Sequence, residues 1–133
     1  MPRRSDGDGR PIDSLGRHRY AVGVDTEHEY GPATDRARSE RVTVQWVVQT
    51  LTRLYGAAEL DLPPAPASPR AGSPLQTRQF WLHHATEHDA AAQRATVEDG
   101  ITFALAVRRL LRAYGAGEID LIVTAVDRRP RPR

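Results

Sequence analysis

Apolar residues recur along this chain with two different periods, and each change of period marks a new element. Every second residue over His18–Asp25 is apolar or aromatic, which predicts a strand with one apolar face. Apolar positions then fall at i, i+3, i+4, i+7, i+10 and i+11 over 44–55. Because these positions form one stripe on a helix, the pattern predicts a helix over 35–55, preceded by a loop over 27–34.

One stretch of the sequence occurs twice. Residues 51–62 return as 110–121, with eight of the twelve positions identical. Each copy is typical of a helix end, a glycine stop and the start of a strand, which predicts strands over 59–62 and 118–126.

The second half of the chain repeats the same order of patterns. A strand is predicted over 79–84. A helix is predicted over 97–114, where Thr96 at the cap and Asp99 in the first turn resemble a capping box. The order β-α-β, linker, β-α-β predicts an α+β (α/β) fold. In it, a tandem βαβ duplication forms one four-stranded sheet with two helices on one face, the ferredoxin-like or tautomerase-like topology.

Composition divides the chain further. Five prolines over 63–74 exclude helix and central strand and indicate a linker between the two repeats. The predicted organisation is a disordered leader over 1–17, a first βαβ repeat over 18–62, a proline-rich linker over 63–76, a second βαβ repeat over 77–126 and a basic tail over 127–133.

Charge and composition exclude several functional classes. The chain has no cysteine, which excludes disulfides and thiol chemistry, and no apolar run long enough to span a bilayer. With no signal-peptide pattern at the N-terminus, we expect a cytoplasmic bacterial protein without a membrane partner. The nineteen basic residues are all arginine and concentrate in the two ends, so nucleic acid is expected to bind only weakly, through those tails.

The histidines are the main candidates for chemistry. Thr26, Glu27 and His28 are matched letter for letter by 86–88 in the second half. The sequence predicts that these residues are solvated polar groups where a strand enters a loop, with no cofactor bound. The alternative is a metal site for Zn or Mn, because imidazole and carboxylate are common ligands of divalent metals. The candidate ligands are His28, His83, His84, Glu87 and His88.

Two known motifs resemble this region. Residues 84–88 fit the H-x-x-E-H pattern of inverse zinc peptidases. Residues 83–87 resemble the H-H-x-x-E motif with which imidazoleglycerol-phosphate dehydratases bind manganese, and 96–99 resemble the T-V-E-D of that family. This resemblance implies duplicated βαβ halves and a manganese site. The aspartate–histidine pair expected on the family's first helix is replaced here by Val48 and Gln49.

Two functions are consistent with these patterns. The first is a non-catalytic binding or assembly protein, in which the exposed sheet face contacts a second copy or another protein, because a sheet with helices on one face leaves the other uncovered. The alternative is a small metal-dependent lyase or hydrolase that uses the histidines and glutamates around 26–28 and 83–88.

Overall fold

The structure is a computed structural model that describes residues 4–5, 11–64 and 74–121. Its two long strands are each followed by a π-helix and two α-helices. In chain order the elements are β1 (Arg4–Ser5), β2 (Pro11–Ile12), β3 (His18–Asp25), a first π-helix (Thr26–Tyr30), α1 (Gly31–Ser39), α2 (Val44–Gly56), β4 (Leu75–Leu82), a second π-helix (His84–Asp89), α3 (Ala90–Val97) and α4 (Phe103–Gly115).

The predicted four-stranded sheet with two helices, built from tandem βαβ units, is wrong. Among the described residues, the sheet consists of the long antiparallel pair β3 and β4, extended only by the two-residue strands β1 and β2, and there are four α-helices. The predicted strand over 59–62 is irregular, and so is 118–120 of the predicted second strand. One carbonyl in each segment accepts a hydrogen bond from an arginine and not from a neighbouring strand. Leu60 O accepts from Arg94, and Ile119 O accepts from Arg36.

β3 and β4 form a ribbon, the name used below for these two strands. Residues His18 to Asp25 pair in sequence with Leu82 to Leu75. Tyr20, Val22 and Val24 on β3 are buried under the helices. The predicted alternation of β3 is therefore confirmed, whereas β4 begins at Leu75, before the strand predicted over 79–84.

The single predicted helix over 35–55 is divided in two. Arg41 has a left-handed φ of 60°, which ends α1, and the Thr43 side chain accepts a hydrogen bond from Trp46 N to begin α2. The residues predicted as a loop are helical, because the Asp25 carboxylate caps the first π-helix. In the second half Thr102 takes the capping role predicted for Thr96, so α4 begins later than predicted.

The helices that follow β3 form the first half of the structure and those that follow β4 form the second, and the two sets pack against each other. α1 packs mainly on α4, and α2 packs mainly on α3 and the second π-helix, so that each half contributes to the burial of the other. The tyrosine at the end of each long helix reaches across: Tyr114 Oη donates to Glu40 at 2.5 Å, and Tyr55 Oη donates to Asp99. The result is one shared core.

Several predicted segments lie outside the described residues. These are residues 1–3 and 6–10 of the leader, residues 65–73 of the proline-rich linker, the strand residues 122–126 and the basic tail. None of the described helices has both the length and the apolar character needed to cross a membrane.

Candidate functional site

The second π-helix places two histidines on one face. It begins after β4, where His83 O accepts hydrogen bonds from Glu87 N and His88 N. Because residues four apart are close neighbours on a helix, His84 and His88 lie on one side, with Asp89 beside them. The sequence pattern had aligned this segment with a strand end, which would have separated the two imidazoles.

His84, His88 and Asp89 form a group that could hold a metal ion, and we call it the histidine site. One ligand atom from each residue lies within 4.8 Å of the others. Asp89 bridges the imidazoles: Oδ2 lies 3.3 Å from His84 Nε2, and Oδ1 lies 2.9 Å from His88 Nδ1. His84 and Asp89 are exposed and His88 is half-buried, so ligands from solvent can reach the group.

Two aromatic residues support the imidazoles from the protein side. The hydroxyl of Tyr20, in β3, shares a 2.5 Å hydrogen bond with His84 Nδ1. The Tyr20 ring also stacks on His88, with centroids 4.0 Å apart and planes 6° from parallel. Phe103 at the start of α4 contacts His88 at a tilt, with centroids 4.6 Å apart. Because Tyr20 is buried, it anchors both imidazoles to the ribbon.

Glu87, a predicted ligand, faces away from this group. Its side chain is buried, its Oε1 accepts from His83 N at 2.7 Å, and Gln49 donates to both carboxylate oxygens at 3.1 and 3.2 Å. The histidine and glutamate of the H-H-x-x-E pattern therefore do not share a site. His84 contacts Asp89, whereas Glu87 contacts Gln49 in α2. His83 is half-buried and lies outside the group.

His28 lies at the other end of the ribbon. The first π-helix follows the end of β3 and the second follows the end of β4, and in an antiparallel pair these ends are separated by the ribbon's length, about 23 Å. His28 Nδ1 lies 2.9 Å from Asp25 Oδ2, and this hydrogen bond holds the pKa of Asp25 below its ordinary value of 3.8. The two Thr-Glu-His segments thus occupy equivalent positions without meeting.

Asp89 and Tyr20 were missed by the sequence prediction. The spacing of His84 and His88 was the available signal, but it indicates a shared face only if the segment is helical. Tyr20 is 64 residues from His84 along the chain, and only the ribbon register brings the two side chains together.

A shallow cavity lies elsewhere, where α2 meets α3. It is lined by Gly56, Ala58, Ala90, Gln93, Arg94, Val97 and Glu98, and contains no residue of the histidine site. Comparisons with protein-family models, with curated proteins and with solved structures found no match to this chain.

Proposed function

We propose that the protein binds a divalent metal ion at the histidine site, and that this ion is Zn²⁺. One observation carries the proposal: two imidazoles and one carboxylate converge within 4.8 Å, a ligand set unlike a cluster of surface acids. Imidazole nitrogen and carboxylate oxygen are common Zn²⁺ ligands, and a site with three protein ligands leaves a position for water.

The ligand types favour Zn²⁺ over Mn²⁺. A nitrogen-rich site binds Zn²⁺ more tightly in the Irving–Williams order, while Mn²⁺ prefers sites richer in oxygen. Ligands held at about 2 Å in a tetrahedron lie roughly 3.3 Å apart, so the side chains must draw together on binding. The exposure of His84 and Asp89 leaves them room to rotate.

Tyr20 supplies the outer support that such a site requires. A histidine that binds metal through one ring nitrogen usually donates its other N–H to a fixed acceptor. With metal on His84 Nε2, the Nδ1–H would donate to the Tyr20 hydroxyl oxygen, which already lies 2.5 Å away. The buried ribbon residue would thereby set the tautomer and orientation of the exposed ligand.

The experiment is calorimetric titration of the untagged chain with ZnCl₂ after treatment with a chelator. We expect one bound ion per chain, and we expect His84→Gln to lower the affinity at least about tenfold. His28→Gln is the matched control, because it removes an imidazole from the equivalent π-helix at the other end of the ribbon. No heat of binding, or an equal loss in both variants, would contradict the proposal.

A lyase or hydrolase reaction at this site stays a prediction. A Zn²⁺-bound water would supply the nucleophile, and a nearby base would still be needed. The predicted ligand Glu87 cannot serve as that base, because its carboxylate is engaged by Gln49 and His83 N. Metal binding is therefore the proposed function. The test for catalysis is whether the Zn²⁺-loaded chain releases nitrophenol from a phosphate or acetate ester. Activity that is lost in His84→Gln would extend the proposed function to catalysis.

Binding and assembly through an exposed sheet face also stays a prediction. The observation that favours it is the outer face of the ribbon, where Arg19, Thr77 and Gln79 are exposed. Light scattering over a concentration series tests the homo-oligomer. A mass of twice the 14.8 kDa chain is the expected result, and a constant monomer mass contradicts it.

A further inference from the structure

A third imidazole lies beside the histidine site. His18 begins β3, and its ring centroid is 5.1 Å from that of His84, with the two ring planes 51° apart. The ring of His84 in turn lies 5.8 Å from that of His88, centroid to centroid. His18 is half-buried, whereas His84 is exposed. Three histidine side chains are therefore neighbours at one end of the ribbon.

The register of the ribbon explains the position of His18. It pairs with Leu82, the last residue of β4, and the second π-helix begins two residues later. Residues two apart on a strand face the same side, so His18 lies beside Tyr20 on the inner face of the ribbon. Tyr20 already contacts both His84 and His88. The first half of the molecule thus presents His18 and Tyr20 to a ligand group that otherwise comes from the second half.

We propose that His18 is a fourth ligand of the Zn²⁺ ion at the histidine site, an inference that rests on the proposed function. Two imidazoles bound to one tetrahedral ion at about 2 Å have ring centroids roughly 5 Å apart. The spacings of 5.1 and 5.8 Å on either side of His84 are close to this value. His18 lies outside the 4.8 Å group, so its ring must rotate toward the ion as the ligands draw together.

A fourth protein ligand changes the chemistry of the site. With three imidazoles and one carboxylate the tetrahedral shell of Zn²⁺ is complete, which is typical of sites that hold a metal and do not activate water. The third nitrogen ligand also strengthens the preference for Zn²⁺ over Mn²⁺. Because His18 belongs to β3 and the other ligands belong to the second π-helix, the ion joins the two halves of the molecule. Its binding should therefore stabilise the fold.

Calorimetric titration with ZnCl₂ compares the full chain with its variant His18→Gln. We expect the variant to bind Zn²⁺ at least about tenfold more weakly, since the loss of a group that merely supports a metal ligand already costs about that much. His83→Gln is the matched control, because it removes another half-buried imidazole from the residue next to His84. This control should leave the affinity unchanged. Circular dichroism without metal shows whether both variants fold.

Nitrogen NMR of the histidine rings in the unmodified chain separates a ligand from a supporting residue, and it does not depend on the folding of a variant. On addition of stoichiometric ZnCl₂, we expect one ring nitrogen each of His18, His84 and His88 to take up the shift of a metal-bound imidazole, while those of His28 and His83 stay in place. Zn²⁺ binding that leaves the His18 nitrogens unshifted, or that is equally tight in His18→Gln, would overturn the fourth ligand and leave the three-residue site intact. Absence of any Zn²⁺ binding would instead overturn the proposed function, and this inference with it.

Discussion

Two residues with left-handed backbone occupy equivalent positions after the long helices. Ala58 has φ 59° and Gly117 has φ 82°, and each lies two residues beyond the final glycine of its helix. The turns close alike: Ala58 N donates to Tyr55 O, and Gly117 N donates to Tyr114 O. One turn thus uses alanine where the other uses glycine, although the left-handed region costs alanine about 1–2 kcal/mol.

This difference predicts opposite effects of exchanging the two residues. Gly117→Ala should lower the free energy of unfolding by about 1 kcal/mol, because it places a Cβ in the left-handed region. Ala58→Gly should raise the free energy of unfolding by up to about 1 kcal/mol. Glycine relieves the left-handed strain of the folded state, and the greater entropy it gives the unfolded chain offsets part of that gain. Urea unfolding measures both, and Ala57→Gly, at φ −84°, is the control that should destabilise. Destabilisation by Ala58→Gly would contradict this explanation.

Tyr55 and Tyr114 are the residues whose ionisation the fold opposes. Burial raises the pKa of each above its ordinary value of 10, and the hydrogen bonds to Asp99 and Glu40 raise it further. The unfolded chain loses these protons near pH 10, whereas the folded chain keeps them. Unfolding therefore releases protons above pH 10, and stability falls as pH rises.

We accordingly expect the urea midpoint to fall steeply between about pH 9.5 and 11. This window lies within roughly one pH unit of the ordinary tyrosine pKa. The double variant Tyr55→Phe, Tyr114→Phe should flatten this dependence, because phenylalanine has no proton to release. Tyr30→Phe is the control. If the double variant keeps the full slope, the two hydroxyls do not ionise on unfolding.

At the scale of elements, two arginines hold the halves together in a reciprocal way. Arg36 in α1 donates to Tyr114 O and Ile119 O at the end of α4, at 2.6 and 2.5 Å. Arg94 in α3 donates to Tyr55 O and Leu60 O at the end of α2, both at 2.7 Å. Each guanidinium also lies over the tyrosine ring, 4.4 and 4.5 Å from its centroid. Both helix ends are thereby capped by the opposite half.

Replacing either arginine by methionine should destabilise the fold by about 1.5–3 kcal/mol, the range for hydrogen bonds to charged groups. The two losses should add in the double variant, because the sites are independent. Thermal unfolding measures the change, and Arg53→Met on the exposed side of α2 is the matched control. A loss no larger than that of the control would show that the carbonyls are satisfied by solvent.

The close approach of helices explains why the two helix ends share one geometry. A Cβ at Gly56 would lie 2.8 Å from Ala91 N, and a Cβ at Gly115 would lie 2.7 Å from Ala33 N. These contacts involve backbone atoms, which cannot rotate away. The repeated Tyr-Gly pair therefore marks where each long helix meets the short helix of the other half.

At the scale of the whole molecule, the two halves behave as intertwined parts of one core. The ribbon takes one strand from each half, and the main helix contacts run between halves. A half on its own would expose the apolar face of its long helix, including Leu51 and Leu54 in the first half. Neither half should form a stable monomer.

Separate fragments 1–64 and 65–133 test this arrangement. We expect each fragment alone to be unfolded or self-associated, and the equimolar mixture to regain helical circular dichroism and a cooperative melt. The mixture should run as one complex on size exclusion. A folded, monomeric fragment 1–64 would contradict the shared core.

Much of the local structure can be predicted from the sequence. The alternation over His18–Asp25 and the apolar stripe over 44–55 specify a strand and a helix, because each period matches the geometry of one element. The repeat of 51–62 specifies equivalent helix ends. Thr43 and Thr102 are capping signals that sequence inspection could have found, since each precedes a helix.

Only the tertiary structure decided the conformation of the chain beyond each long helix. A short segment such as 59–62, in which acidic and leucine residues alternate, fits a strand or a packed irregular segment equally well. Arg94 of the opposite half selects the irregular segment by donating a hydrogen bond to the carbonyl of Leu60. The same limit applies to the histidine site. The sequence by itself determined that His84 and His88 are four residues apart, whereas the π-helix, the ribbon register and the burial of Tyr20 bring them onto one supported face with Asp89.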